Sequence, residues 1–171
     1  MGSLDARARA VTVVLMGPAG AGKTTVGQRL AQDLRWPFLD ADSLHSSENV
    51  ARMHRGESLT DADREPWLQR VHDTILQMLA TSPHVAVACS ALKQHYRDVL
   101  ASGVPDVRWI YLQASPALLE HRLSTRTGHF AGSAILAGQL ADLETPVDAL
   151  VVPASLPPTE AVALIRSAIG S

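Results

Sequence analysis

The stretch Val11-Thr12-Val13-Val14-Leu15-Met16-Gly17-Pro18-Ala19-Gly20-Ala21-Gly22-Lys23-Thr24 governs how the rest of the chain is read. Its first six residues are apolar or β-branched and carry no charge, as a strand buried on both faces requires. Gly17 ends that run, and residues 17–24 fit Gly-x-x-x-x-Gly-Lys-Thr in full. The period then changes: Val26, Leu30 and Leu34 recur four apart, which predicts an amphipathic helix over 24–35. In a strand–glycine turn–helix of this kind, backbone N–H groups curl around a phosphate and the helix adds its positive end. Lys23 is placed to reach β- and γ-phosphates, and Thr24 to offer a hydroxyl to Mg²⁺. Gly17, Gly20, Ala21, Gly22, Lys23, Thr24 and Thr25 are therefore the expected nucleotide-binding residues.

Working outward, short apolar strands alternate with helices. Strands are expected at Pro37–Asp40, Val85–Cys89, Val107–Leu112 and Asp148–Val152. Helices are expected from about Thr60 to Ala80, opened by Thr60 and Asp63 as a capping box, and at Lys93–Leu100, stopped by Gly103. Another starts at Ser115-Pro116, with Ser as N-cap, and two more cover Ser133–Leu143 and Thr159–Ile169. Residues 45–58 show no clear period. The pattern predicts an α/β fold of three layers, a five-stranded parallel sheet flanked by helices. Residues 11–171 read as one domain. Residues 1–10 read as a tail whose Met-Gly-Ser start is of the kind left by cloning.

Composition narrows the function classes. Of 171 residues, 46% are hydrophobic and 19% charged, enough to build a core. A net charge of −2 provides no basic field for nucleic acid or anionic lipid. The lone cysteine, Cys89, excludes an internal disulfide and fits a reducing compartment. No apolar run approaches a membrane span and no signal peptide is recognisable, so a cytoplasmic location is expected. Thirteen of the fifteen basic residues are Arg, and the two lysines, Lys23 and Lys93, both fall in motifs.

Three further groups are candidates for the site, and two of them, Asp40 with Asp42 and the Cys89–Lys93 segment, stand at the carboxyl ends of strands, where open α/β sheets place ligand groups. Asp40 and Asp42 are two apart, so one carboxylate can hold a Mg²⁺ water shell while the other takes a proton from an attacking hydroxyl. Arg122 and Arg126 are four apart on an expected helix, ahead of a Gly-containing segment that could close over a phosphoryl group. Cys89-Ser90-Ala91-Leu92-Lys93 offers small residues and one cation; Cys89 itself reads as a small buried hydrophobe.

These motifs, with Phe38-Leu39-Asp40-Ala41-Asp42-Ser43-Leu44-His45, Pro66-Trp67-Leu68, Tyr96-Arg97-Asp98, Gly128-His129-Phe130, Gln139 and Leu143-Glu144, recur in one order almost end to end. In that series the chain resembles the gluconokinases, small phosphate-loop kinases that phosphorylate D-gluconate to 6-phosphogluconate with ATP. The resemblance implies a nucleoside-monophosphate-kinase-like sheet, an acceptor region at about 43–78, a lid at about 124–132, MgATP as phosphoryl donor and a homodimer. It implies that Asp42 faces the acceptor hydroxyl and Asp40, with Thr24, the metal, the order of the two acids remaining open. Arg122 would lie against adenine, beside the loop 153–158, and Arg126 would reach the phosphates. Lys23, Asp40, Asp42 and Arg126 form the expected catalytic set; Asp42, His45, Arg64, Lys93, Arg97 and His129 form the expected gluconate set. Two positions depart from the family pattern: Ala41 stands for the usual Gly, and Ser46 for the usual Pro. The rival readings are a shikimate-kinase-like enzyme on another small hydroxy acid, and a nucleotide-binding regulator with little turnover.

Overall fold

The computed structural model describes residues 10–126 and 129–171, without the side chains of residues 129–131. Five strands, β1 (Val11–Met16), β2 (Phe38–Asp40), β3 (His84–Ala88), β4 (Val107–Gln113) and β5 (Leu150–Pro153), pair in parallel in the order β2-β3-β1-β4-β5. The helices are α1 (Lys23–Leu34), α2 (Ser47–His54), α3 (Asp61–Leu79), α4 (Gln94–Ala101), α5 (Pro116–Ser124), α6 (His129–Asp142) and α7 (Pro158–Ile169). A single 3₁₀ turn, Ala41–Leu44, follows β2.

The α/β sheet expected from the sequence is thus present, and side-chain alternation along β1 explains how it is covered. Val14 and Met16 enter one core with Trp67, Leu68, Val71 and Ile75 of α3 and Tyr96 and Leu100 of α4. Val13 and Leu15 enter the other with Val26 and Leu30 of α1, Leu119 of α5 and Val162 and Ile165 of α7. The strand order reverses between β1 and β3, so the carboxyl ends of β1, β2 and β3 open onto one crevice.

Several local expectations are refined. α2 forms in a stretch without clear periodicity, because Ser46 caps it by accepting the Asn49 amide at 3.1 Å. Ser46 has φ −63°, an angle proline would also adopt, so this departure exchanges ring rigidity for a helix cap. Ala41 is fully buried in the 3₁₀ turn and is not among the residues with positive φ, so its methyl group is accommodated. α6 starts at His129, four residues ahead of expectation, which makes the end of the expected lid helical. Residues 127 and 128 of that lid fall outside the described residues, as does the tail 1–9. α5 ends at Ser124, so Arg126 lies beyond it and does not share a helix face with Arg122. Among the described residues no helix is long and apolar enough to cross a membrane.

The expected capping box is complete. Thr60 Oγ1 accepts the Asp63 amide at 3.1 Å while the Thr60 amide donates to Asp63 Oδ2 at 2.8 Å. Replacing Thr60 by Ala is expected to cost about 1 kcal/mol and lower the melting temperature by roughly 2–4 °C, read by thermal unfolding. Thr60→Ser should restore most of it.

Candidate active site

The site is assembled from the loops that leave β1, β2 and β3. Gly17 has φ +147°, and a Cβ there would stand 3.0 Å from the Leu112 carbonyl oxygen, so only glycine lets the chain turn so close to β4. Gly22 (φ +93°) starts α1 with no side-chain cap and no acid in its first turn. The first amides of α1 therefore face outward without a competing carboxylate, as an anion site at a helix N-terminus requires. Lys23 Nζ curls back to the Pro18 carbonyl at 2.9 Å. Burial lowers the Lys23 pKa, while the nearby Asp42 and Asp40 carboxylates pull it back up.

The two aspartates differ in how they are engaged. Asp40 Oδ2 accepts the Thr24 hydroxyl at 3.1 Å and Asp40 Oδ1 accepts the Asp42 amide at 3.0 Å. Both oxygens of Asp40 are thus engaged, and the hydroxyl–carboxylate pair is a hard oxygen donor set of the sort Mg²⁺ takes beside phosphates. Asp42 Oδ1 stands 4.0 Å from His45 Nε2, accepts no side-chain hydrogen bond among the described residues, and has a side chain 72% exposed to the cleft. Desolvation by the surrounding protein raises the Asp42 pKa, with Lys23 opposing and Asp40 reinforcing it. Water in the open cleft screens these effects more than a closed cleft would.

Two hollows meet at the phosphate loop. One, of about 190 Å³, is lined by Gly20, Ala21, Gly22, Thr25, Arg122 and Arg126 together with Ala154, Leu156 and Pro158 of the loop after β5. Arg122 Nη1 donates to the Gly20 carbonyl at 3.1 Å and Nη2 to the Ala154 carbonyl at 2.5 Å, stapling the phosphate loop to that loop. The other hollow, of about 300 Å³, takes in Ala19 of the phosphate loop, Asp42, His45, Arg64, Ser90 and Gln139.

Trp67 forms the floor of this second hollow. Its Nε1–H donates to the Ala41 carbonyl at 2.7 Å, fixing the turn that carries Asp42, and its ring stacks on His45 with centroids 4.2 Å apart. His45 Nδ1 is buried without a partner. Burial, with the Arg70 and Arg64 charges, pushes the His45 pKa down to about 4, so the imidazole is neutral at pH 7. Arg64 Nη1 donates to Tyr96 Oη at 2.8 Å and to Asp142 Oδ2 at 3.1 Å. Tyr96 Oη in turn donates to Asp61, which also accepts Lys93 Nζ at 3.0 Å.

Two expected gluconate ligands are therefore placed elsewhere. The Lys93 ammonium is engaged by Asp61 at 3.0 Å and by Asp142 at 3.9 Å, and Asp142 is also a partner of Arg64. Arg97 is 3% exposed and donates to the carbonyls of Ala91, Leu92 and Glu144 at 2.7, 3.1 and 2.9 Å. It pins the turn after β3, where Ala91 holds the left-handed φ of +45°. Ser90 of that turn reaches the hollow, and Cys89 is buried with its thiol pKa pushed up to about 12. The His129 side chain lies outside the described residues. Sequence reasoning gave no role to Gln139, whose Oε1 accepts the Ala19 amide at 2.6 Å, because a lone glutamine on a helix carries no signal of its own.

A nucleotide-type phosphate loop, a paired hydroxyl and carboxylate, and a second hollow with a free carboxylate together define a phosphate-loop kinase of a small acceptor. The protein-family model described as shikimate kinase matches residues 19–136. A thermoresistant gluconokinase from Escherichia coli (strain K12) is 43% identical over 143 residues, 81% of this chain and 82% of that protein. A gluconokinase from Gluconobacter oxydans is 41% identical, covering 80% of this chain and 76% of its own. The crystal structure of a gluconokinase from Sinorhizobium meliloti superposes with a TM-score of 0.83 at 36% identity, covering 95% of this chain and 93% of that one. The chain belongs to the gluconokinase family, within the broader shikimate-kinase-type fold.

The depressed pKa of His45 sets a sign for stability. The folded protein refuses a proton that the unfolded chain binds below its ordinary value of 6.5, so this contribution is intact above pH 6.5 and is lost as pH falls toward about 4. Urea midpoints at pH 7.5 and pH 5 should therefore drop less for His45→Asn than for the wild type. An equal drop in both would remove His45 as the cause.

Proposed function

We propose that the protein transfers the γ-phosphoryl group of ATP to the 6-hydroxyl of D-gluconate. The observation that carries the reading is the junction of the two hollows at the phosphate loop, with the unengaged carboxylate of Asp42 on the acceptor side. The family's gluconokinase relatives supply the acceptor identity. Mg²⁺, when bound, neutralises phosphate charge, and Thr24 and Asp40 are the residues that would hold it. Lys23, Arg126 and the first amides of α1 surround the phosphates. Asp42 takes the proton of the 6-hydroxyl as the O–P bond forms and the bond from the γ-phosphorus to the ADP oxygen breaks, its electron pair leaving with ADP. A raised pKa suits Asp42 to that work, since a base nearer neutrality shares the proton more effectively.

Arg64 is the cation facing the acceptor hollow and is assigned the gluconate carboxylate. Tyr96 and Asp142 hold its Nη1, which leaves its remaining donors for the substrate. Neutral His45 then serves as a hydrogen-bonding wall for the polyol.

The experiment is coupled ADP release with MgATP and a panel of D-gluconate, shikimate, glucose, glycerate and no acceptor. Strong stimulation by gluconate alone, with 6-phosphogluconate as product, is expected. Response to shikimate instead would overturn the acceptor assignment, and a flat response with ATP still bound would favour a regulator. Lys23→Met should lower kcat about a hundredfold or more, since one charge-stabilising contact is worth about 3 kcal/mol.

A further inference from the structure

Gln139 lies on α6, far from the phosphate loop in sequence, yet it is a wall of the acceptor hollow and touches the loop directly. Its Oε1 accepts the Ala19 amide at 2.6 Å. The carboxamide is planar, with its acceptor and its two N–H donors on one carbon, so fixing Oε1 also fixes Nε2 beside the loop. Among the described residues Nε2 has no hydrogen-bond partner. Asp42 lines the same hollow, so a donor and a proton acceptor share the space against Ala19 where an attacking oxygen must approach the γ-phosphoryl group.

We propose that Gln139 is the residue that orients the acceptor hydroxyl. A hydroxyl has one proton and two lone pairs. Asp42 accepts the proton, one lone pair attacks phosphorus, and Gln139 Nε2–H donates to the other. The three directions of the oxygen are then fixed, and its attacking lone pair is aimed by the phosphate loop itself through Ala19. The alternative role is a simple latch of α6 on the loop. The assignment rests on the acceptor reading above, since it needs an acceptor hydroxyl in this hollow.

The test is a cycle of two proteins and two ligands. Wild type and Gln139→Met are titrated calorimetrically, in the presence of ADP and Mg²⁺, with gluconate and with 6-deoxygluconate, which lacks only the reacting hydroxyl. Gln139→Met is expected to weaken gluconate about five- to tenfold, the worth of one hydrogen bond, and to leave 6-deoxygluconate unchanged. In turnover, kcat/KM for gluconate should fall while KM for ATP stays within about threefold. Equal weakening of both ligands, or of neither, overturns the proposal; a changed ATP KM with gluconate binding intact identifies the latch. A melting curve checks that the variant folds, with Gln139→Ala as the second variant. Wild type that fails to bind gluconate would overturn the gluconate reading instead. The cycle then runs with whichever acceptor of the panel stimulates ADP release and its deoxy analogue.

Discussion

The site depends on β1 being unable to move. Val13, Val14, Leu15 and Met16 are each at most 1% exposed, packed between two cores and hydrogen-bonded to β3 on one side and β4 on the other. A strand held so firmly delivers its last residue to a defined place, and the Gly17 turn has no latitude beside the Leu112 carbonyl. The phosphate loop therefore inherits the rigidity of the sheet centre, which suits a reaction whose catalysis is mostly positioning and charge stabilisation. Thr24 then ties the first turn of α1 to Asp40 at the end of β2, so both chains entering the site share one reference frame.

Around that fixed centre the acceptor side is built in layers of decreasing burial. Trp67 is in the core, and it holds the turn bearing Asp42 through the Ala41 carbonyl. Arg64 sits one layer out, within a set of two cations and two carboxylates that nearly balance: Arg64 and Lys93 against Asp61 and Asp142. Such a set keeps a guanidinium straight at the wall of the hollow that Arg64 lines. Its partners are partly exposed, so its worth lies in orientation more than in stability.

The fold was legible because its signals are periodic. Short, mostly apolar strand runs, the change to helical spacing after Lys23, and the Thr60 and Ser115 caps all act over a few neighbouring residues. The phosphate loop was legible for the same reason. The protein partners of Arg97 and Lys93 were not legible, because sequence names a cation but not the carbonyls or carboxylates that tertiary structure brings to it. Arg122 and Arg126 were paired by helical spacing that ends too soon, although one hollow still gathers both. The different engagement of Asp40 and Asp42 is not legible in sequence, because it comes from the Thr24 hydroxyl and the Asp42 amide, which both donate to Asp40. Gln139 reaches the loop across a sequence gap of 120 residues, which no local pattern encodes.

The buried Cys89 has a practical consequence. It lies at the carboxyl end of β3 directly under the Ser90 turn, and as the chain's single thiol it is shielded both by burial and by its high pKa. A thiol reagent can therefore reach it only when the sheet centre parts from the turn that Arg97 pins. The chain thus carries a native clock for opening events: the rate of its modification in dilute reagent counts how often the floor of the cleft breathes. Ligands that brace the cleft should slow that clock, with no label added to the protein.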